Sequence, residues 1–370
     1  MRITKYTHSS KRRIILKTSM AAGLLALVPS LVCFAQSNNK ADSKTEAGVA
    51  TSPSERRGWF ESTDFADALT VQNFDWQDDS RNRSVPVRLY LPKAVANNEA
   101  PEAKSVKPVP LIVFSHGLGG SRNGYQYLGR YWAANGYASL HVQHIGSDRQ
   151  VWFGNPLTLA SRLIAAAQDS EAIDRTKDVS FALSELLQQP QLRGRFDTER
   201  LVMAGHSYGA STTMLVIGAK VPKKDINGQD FNLRDPRFKA AMILSAPPFY
   251  GYTNMASILG GVSLPTLHVT ATADDIMVPS YNSGYEDRVK VFDAIGDPRK
   301  TLVVFAGGSH SIFTDRTNTG GAELNPKVKA ATQALSLAFL KQTFGSDTTA
   351  LANWQPQFAD LLAHYVAPGK

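Results

Sequence analysis

Short apolar runs alternate with longer stretches of helical periodicity along most of this chain. The strand-like runs fall at 84–91, 110–115, 137–143, 200–205, 240–245, 265–270 and 301–306. Helical spacing is found at about 122–135, 157–168, 171–188, 208–219, 287–295, 326–343 and 349–365. Runs such as Leu111-Ile112-Val113-Phe114 are apolar throughout, as strands covered on both faces must be. The first run, Ser84-Val85-Pro86-Val87-Arg88-Leu89-Tyr90-Leu91, instead alternates, which suits an edge or antiparallel strand. Strands separated by helices imply an α/β protein, with a mostly parallel sheet and helices on both faces.

One strand leads into a distinctive turn. Arg200-Leu201-Val202-Met203-Ala204 runs into Gly205-His206-Ser207-Tyr208-Gly209, and Ala210 to Ala219 can continue as a helix. Strand, sharp turn, Ser and helix form the setting of a nucleophile elbow. A side chain two positions before or after the Ser would collide with neighbouring backbone, so Gly205 and Gly209 fit there.

A seryl hydroxyl needs a His to take its proton, and the His needs a carboxylate to fix its tautomer. The run Leu264 to Thr270 opens into Ala271-Thr272-Ala273-Asp274-Asp275, and Thr301 to Phe305 opens into Ala306-Gly307-Gly308-Ser309-His310. Both groups therefore sit at the C-terminal ends of strands, where open parallel sheets bind ligands. Of the eight His residues, His310 alone follows Ser207 in a loop after a strand. His268 lies inside a strand, and His364 lies on a terminal amphipathic stretch. Adjacent strand-end residues diverge, so one of Asp274 and Asp275 should face His310, and Asp275 is the expected acid. An oxyanion also needs donors. Ser115-His116-Gly117-Leu118-Gly119-Gly120 follows the strand at 110–115, which makes the backbone N–H groups of Leu118 and Tyr208 the expected pair, with His116 shaping the turn.

These segments resemble the secreted platelet-activating-factor acetylhydrolase and dienelactone-hydrolase-like branch of the α/β-hydrolases. The resemblance rests on Ile112 to Gly120, His144, Gly205-His206-Ser207-Tyr208-Gly209 and Ser309-His310, and covers roughly 82–345. It implies the α/β-hydrolase fold, ester hydrolysis through an acyl-enzyme and a preference for short acyl groups. Two positions depart from the pattern. Dienelactone hydrolases proper use a Cys nucleophile where this chain has Ser207, and the acetylhydrolase elbow usually continues with Gly where it has Ala210.

The N-terminus changes the reading of charge. Residues 1–17 carry Arg2, Lys5, Lys11, Arg12, Arg13 and Lys17 without an acid, and an apolar run follows from Met20 to Phe34. This is the pattern of an export signal cleaved after Ala35, with Lys11-Arg12-Arg13 resembling a twin-arginine motif and Sec export as the alternative. The expected organisation is a signal peptide at 1–35, a polar, disordered linker at 36–57 and a hydrolase domain at 58–370, in a periplasmic or secreted protein. The formal charge of +8 then shrinks to about +2, with 34 basic against 32 acidic residues, and gives no support for nucleic-acid binding. Cys33 is the single cysteine, so the processed chain would have neither a disulfide nor a thiol.

No metal-ligand spacing or phosphate-cradling loop is present, and the expected cofactor is none. The expected partner is a small-molecule or lipid ester, without a nucleic acid, a membrane span in the processed chain or an obligate protein partner. Trp152 and Phe153 after the strand at 137–143, and Phe249 and Tyr250 after the strand at 240–245, are the candidate pocket walls. The polar insertion at 221–238 reads as a surface loop or a small cap. The alternatives are a polyester- or lipid-degrading hydrolase, a small acyl-peptide peptidase of the same fold, and a non-catalytic binding protein.

Overall fold

The computed structural model describes Phe65 and residues 67–96, 107–221, 232–278 and 281–369. All of them belong to one compact unit, residues 50–370. The expected signal peptide and linker, and residues 222–231 of the insertion, lie outside the described residues.

Nine strands form one sheet in the order β1-β2-β4-β3-β5-β6-β7-β8-β9. They are β1 (Leu69–Asp78), β2 (Arg83–Pro92), β3 (Val109–Ser115), β4 (Ala138–Val142), β5 (Phe196–His206), β6 (Ala240–Leu244), β7 (Thr266–Ala273), β8 (Lys300–Ser309) and β9 (Leu362–Val366). The six from β4 to β8 in the spatial order are mutually parallel. β1, β2 and β9 run antiparallel at the two margins. The longer helices are α1 (Gln126–Ala134), α2 (Leu159–Ala166), α3 (Asp169–Gln188), α4 (Tyr208–Val216), α5 (Tyr285–Ala294) and α6 (Leu324–Phe344). With its mostly parallel sheet between helical layers, the molecule has the α/β-hydrolase fold.

The period-2 alternation of the central strands builds two cores, one on each face of the sheet. Leu111, Val113, Leu201, Met203 and Ile243 pack with Val179 and Leu183 of α3 and Met214 of α4. Ile112, Phe114, Val202, Ala204 and Met242 pack with Leu128 and Trp132 of α1 and Leu335 and Phe339 of α6. Each such buried large apolar side chain contributes about 1.5–3 kcal/mol before chain entropy is counted.

Two margins differ from the sequence expectation. β1 is an additional strand, and it makes β2 antiparallel but internal rather than an edge. Its alternating half-exposed pattern is weak against the buried runs further on. The helix expected over 349–365 stops early: Ala350–Trp354 is helical, Gln355–Leu361 is a 3₁₀ segment, and 362–366 are strand β9. Pro356 and a non-helical Phe358 break the helix, and β9 then pairs with the backbone of β8. His364 is exposed, but on that strand.

Candidate active site

Ser207 occupies the turn between β5 and α4 at φ 57°, ψ −122°. A non-Gly residue in such a conformation costs of order 1–3 kcal/mol and is held only where its surroundings over-determine it. Here the Ser207 N–H donates to Leu244 O (2.9 Å), continuing the sheet, while Ser207 O accepts from the N–H groups of Ala210 (2.8 Å) and Ser211 (3.2 Å), starting the helix. The flanking glycines permit the close approach. A Cβ at Gly205 would overlap the Gly209 carbonyl, and a Cβ at Gly209 would overlap that of Ser115.

The hydroxyl has a partner. Ser207 Oγ is 2.8 Å from His310 Nε2, and His310 Nδ1 is 2.6 Å from Asp274 Oδ1. With a carboxylate at Asp274, Nδ1 carries the hydrogen, which leaves Nε2 free to accept the seryl proton. Asp274 is fully buried, and its other oxygen accepts from Thr270 Oγ1 (2.7 Å). Burial opposes its ionisation, but the His310 hydrogen bond and the positive charge of Arg288 outweigh it and hold the carboxyl well below the usual range.

This corrects the expectation for Asp275, which is exposed and does not meet His310. The two carboxylates do diverge, but the parity of β7 does not carry through to them. Asp274 N–H bonds back to Ala271 O (3.0 Å) and Asp275 N–H to Ala273 O (3.1 Å), so the strand ends in a tight turn that swings Asp274 inward. The β7–β8 pairing also shifts register between Ala271 and Ala273, where β8 bulges just ahead of His310.

The turn after β3 faces the elbow. Gly117 N–H donates to Tyr125 Oη (3.3 Å), Gly119 N–H to Ser147 O (2.8 Å) and Gly120 N–H to Gly117 O (3.0 Å). Among the described residues the Leu118 N–H has no partner, and Tyr208 is the first residue of α4, where helix N–H groups are free. The His116 ring bridges the turn: Nδ1–H donates to Gly117 O (2.7 Å) and Nε2 accepts from the His144 N–H (3.1 Å).

A second directed chain ties the turn to His310. Tyr125 Oη, which accepts from Gly117 N–H, lies 2.8 Å from His206 Nδ1, and His206 Nε2 lies 3.0 Å from His310 O. Nε2 must therefore carry the hydrogen and donate to the His310 carbonyl, while Tyr125 donates to Nδ1. Burial and the neighbouring His310 push the His206 pKa down to about 3, in keeping with a neutral ring.

Sequence reasoning missed another Ser–His–Asp series. Ser115 Oγ is 2.9 Å from His144 Nε2, and His144 Nδ1 is 3.0 Å from Asp178 Oδ2. All three side chains are fully buried, and Asp178 also meets Arg83 of β2. With no exposed hydroxyl it cannot receive a substrate and serves to brace the turn after β3. The segments at Ser115 and His144 stand out in the sequence, but their pairing with each other and with Asp178 does not.

The expected pocket residues separate. Trp152 lies against the turn, its Nε1–H donating to Gly119 O (2.9 Å). Phe153 beside it is 62% exposed. Phe249 packs on the sheet core, and Tyr250 Oη reaches Tyr281 O (2.7 Å) and Ser283 Oγ (2.9 Å).

Residues 89–151 match the family model of platelet-activating factor acetylhydrolase, isoform II. No curated protein sequence matches the chain significantly. Among solved structures, a ferulic acid esterase from Streptomyces cinnamoneus superposes with a TM-score of 0.51 at 21% identity, over 76% of this chain and 93% of that one. A cold-adapted esterase from an Arctic intertidal metagenomic library gives 0.45 at 15% identity, over 66% and 87%. A Klebsiella pneumoniae subsp. pneumoniae MGH 78578 protein provisionally described as a dienelactone hydrolase gives 0.49 at 17% identity, over 74% and 99%. The chain therefore has the α/β-hydrolase fold, and it resembles the platelet-activating-factor acetylhydrolase and dienelactone-hydrolase-like branch, with the family match running from the end of β2 to the segment after β4.

Proposed function

We propose that the protein is an exported serine carboxylic-ester hydrolase that works through an acyl-enzyme and favours short acyl groups. The observation that carries this reading is the hydrogen-bonded series Ser207–His310–Asp274 beside the unpartnered Leu118 N–H. Ser207 Oγ attacks the ester carbonyl as His310 Nε2 takes its proton. The carbonyl oxygen becomes an oxyanion held by the N–H groups of Leu118 and Tyr208. As the C–O bond to the alcohol breaks, His310 returns the proton to the leaving oxygen. Water then attacks the acyl-Ser207 ester, again giving its proton to His310, and the acid leaves as Ser207 is reprotonated. Asp274 stays ionised and stabilises the imidazolium throughout. The leader pattern at 1–35 supports export to the periplasm or beyond.

Short acyl preference rests on the family resemblance and on Trp152 closing against the turn. One observation favours the lipid-ester alternative: Phe153 and Leu157, which follow Trp152 in the chain, are 62% and 91% exposed. p-Nitrophenyl esters from acetate to palmitate separate the two. Each methylene a groove can bury is worth about 0.8 kcal/mol, roughly fourfold in kcat/KM, whereas overpacking a closed pocket costs about 1–3 kcal/mol. The expected maximum is at four carbons or fewer, and a maximum at eight or more refutes the short-acyl reading. Ser207→Ala should leave a folded protein without ester turnover, and a fluorophosphonate should label Ser207 alone. Near-normal turnover in that variant would overturn the serine mechanism.

A further inference from the structure

Arg175 of α3 is fully buried, and none of its nitrogens lies at ion-pair distance from a carboxylate among the described residues. Buried charges are ordinarily paired directly, because losing water penalises the charged form heavily. This guanidinium instead spends its donors on the parts that face the nucleophile. One terminal nitrogen donates to His116 O and to Ser115 Oγ (3.0 Å), both in the turn after β3. The other donates to Ser147 Oγ (2.8 Å), in the segment that anchors Gly119 N–H. Nε donates to Thr212 Oγ1 (3.0 Å) in α4, and the guanidinium carbon lies 4.4 Å from the centre of the Tyr208 ring. The nearest acids are reached through intermediaries: Ser147 Oγ donates to Glu171 Oε1 (2.7 Å), and Ser115 leads through His144 to Asp178.

We propose that Arg175 is the positioning residue of the oxyanion site, a buried cation that fixes the Leu118 and Tyr208 N–H groups at one separation and adds positive potential behind the developing oxyanion. The two donors come from different elements, the turn after β3 and the start of α4, and Arg175 is hydrogen-bonded to both. A planar fork with five donors in fixed geometry suits this task, where a lysine ammonium would not span the same partners. Burial lowers the Arg175 pKa to about 10, which still leaves it charged at neutral pH.

The proposal rests on the ester-hydrolase reading and is tested with Arg175→Lys and Arg175→Met in the full-length protein. Active sites are counted by end-point fluorophosphonate labelling of Ser207, so turnover is expressed per competent nucleophile. Removing one oxyanion donor costs about 10²–10³-fold in other hydrolases. Arg175→Met should lose about a hundredfold in kcat on p-nitrophenyl acetate and Arg175→Lys about tenfold, with KM within about threefold in both. Binding of a trifluoromethyl ketone, whose adduct places an oxyanion in the same site, should weaken by the same factors. A purely structural role would lower the labelled fraction and the Tm and leave these ratios unchanged. If Arg175→Met does not fold, Ser147→Ala and Thr212→Val remove partners that orient the fork and should lower kcat and ketone affinity in parallel, by several-fold. Turnover per labelled Ser207 within threefold of wild type in the folded variants overturns the proposal. So does a loss confined to KM. Absence of Ser207 labelling in the wild type overturns the ester-hydrolase reading itself.

Discussion

Replacing Asp274 with Asn keeps size and shape but removes the charge that sets the His310 tautomer. In the native site the carboxylate oxygen lies 2.6 Å from Nδ1, and the group is wholly removed from water. An amide in its place can turn its NH₂ toward Nδ1, which moves the ring hydrogen to Nε2. That nitrogen then cannot accept the Ser207 proton across the 2.8 Å contact. The imidazolium formed during attack also loses its counter-charge in a poorly screened setting. Together these effects are expected to cost about 10³–10⁴ in kcat, or about 4–5.5 kcal/mol. Asp275→Asn changes an exposed charge. Even at 4 Å such a charge is worth about 1 kcal/mol in water, so its removal should cost less than tenfold. The assay is p-nitrophenyl acetate hydrolysis per fluorophosphonate-titrated site, with circular dichroism confirming the fold of both variants. Equal losses, or a larger loss in Asp275→Asn, would refute the assignment of Asp274 as the acid.

Gly209→Ala should abolish soluble, active protein, because its Cβ would overlap the Ser115 carbonyl; a soluble variant with wild-type turnover would contradict the elbow geometry. Trp152→Ala should shift the best acyl chain to longer esters, since its indole closes on Gly119 O; an unchanged chain-length profile would remove Trp152 from the pocket. Burial pushes His141, His206 and His268 down to about 3 from an ordinary value of 6.5, so these rings fold neutral and take up protons on unfolding. Their contribution to stability is complete above about pH 6.5 and lost as pH falls toward 3, with a slope of up to about 1.4 kcal/mol per pH unit for each ring. Urea unfolding between pH 8 and pH 4 should show this decline, and His268→Gln, which replaces a ring hydrogen-bonded to Thr266 Oγ1, should make it shallower.

Sequence alone determined the fold class and the strand–turn–helix setting of Ser207. The buried runs at β3, β5, β6, β7 and β8 stand out because strands covered on both faces tolerate few polar residues. Ser207 stands out because Gly205, Gly209 and the strand–helix switch are local requirements of one backbone conformation. His310 followed from its order along the chain and its place after a strand. Apart from the chain order used for His310, these signals lie within a few residues of the atoms they describe.

What the tertiary structure decided are the relations between distant segments. Asp274 and not Asp275 meets His310 because a turn and a register shift reset the side-chain parity at the end of β7, and strand alternation cannot report a turn it does not continue through. Arg175, Tyr125 and Asp178 carry no motif, and nothing local links Ser115 to His144; their importance comes from partners 29–81 positions away. β9 forms because the open backbone edge of β8 rewards an extended partner more than Leu362 to Val366 gains from helical periodicity. Local spacing encodes which backbone conformations each segment can adopt. The packing of segments against one another fixes which buried polar groups must find partners, and so which side chains brace the site.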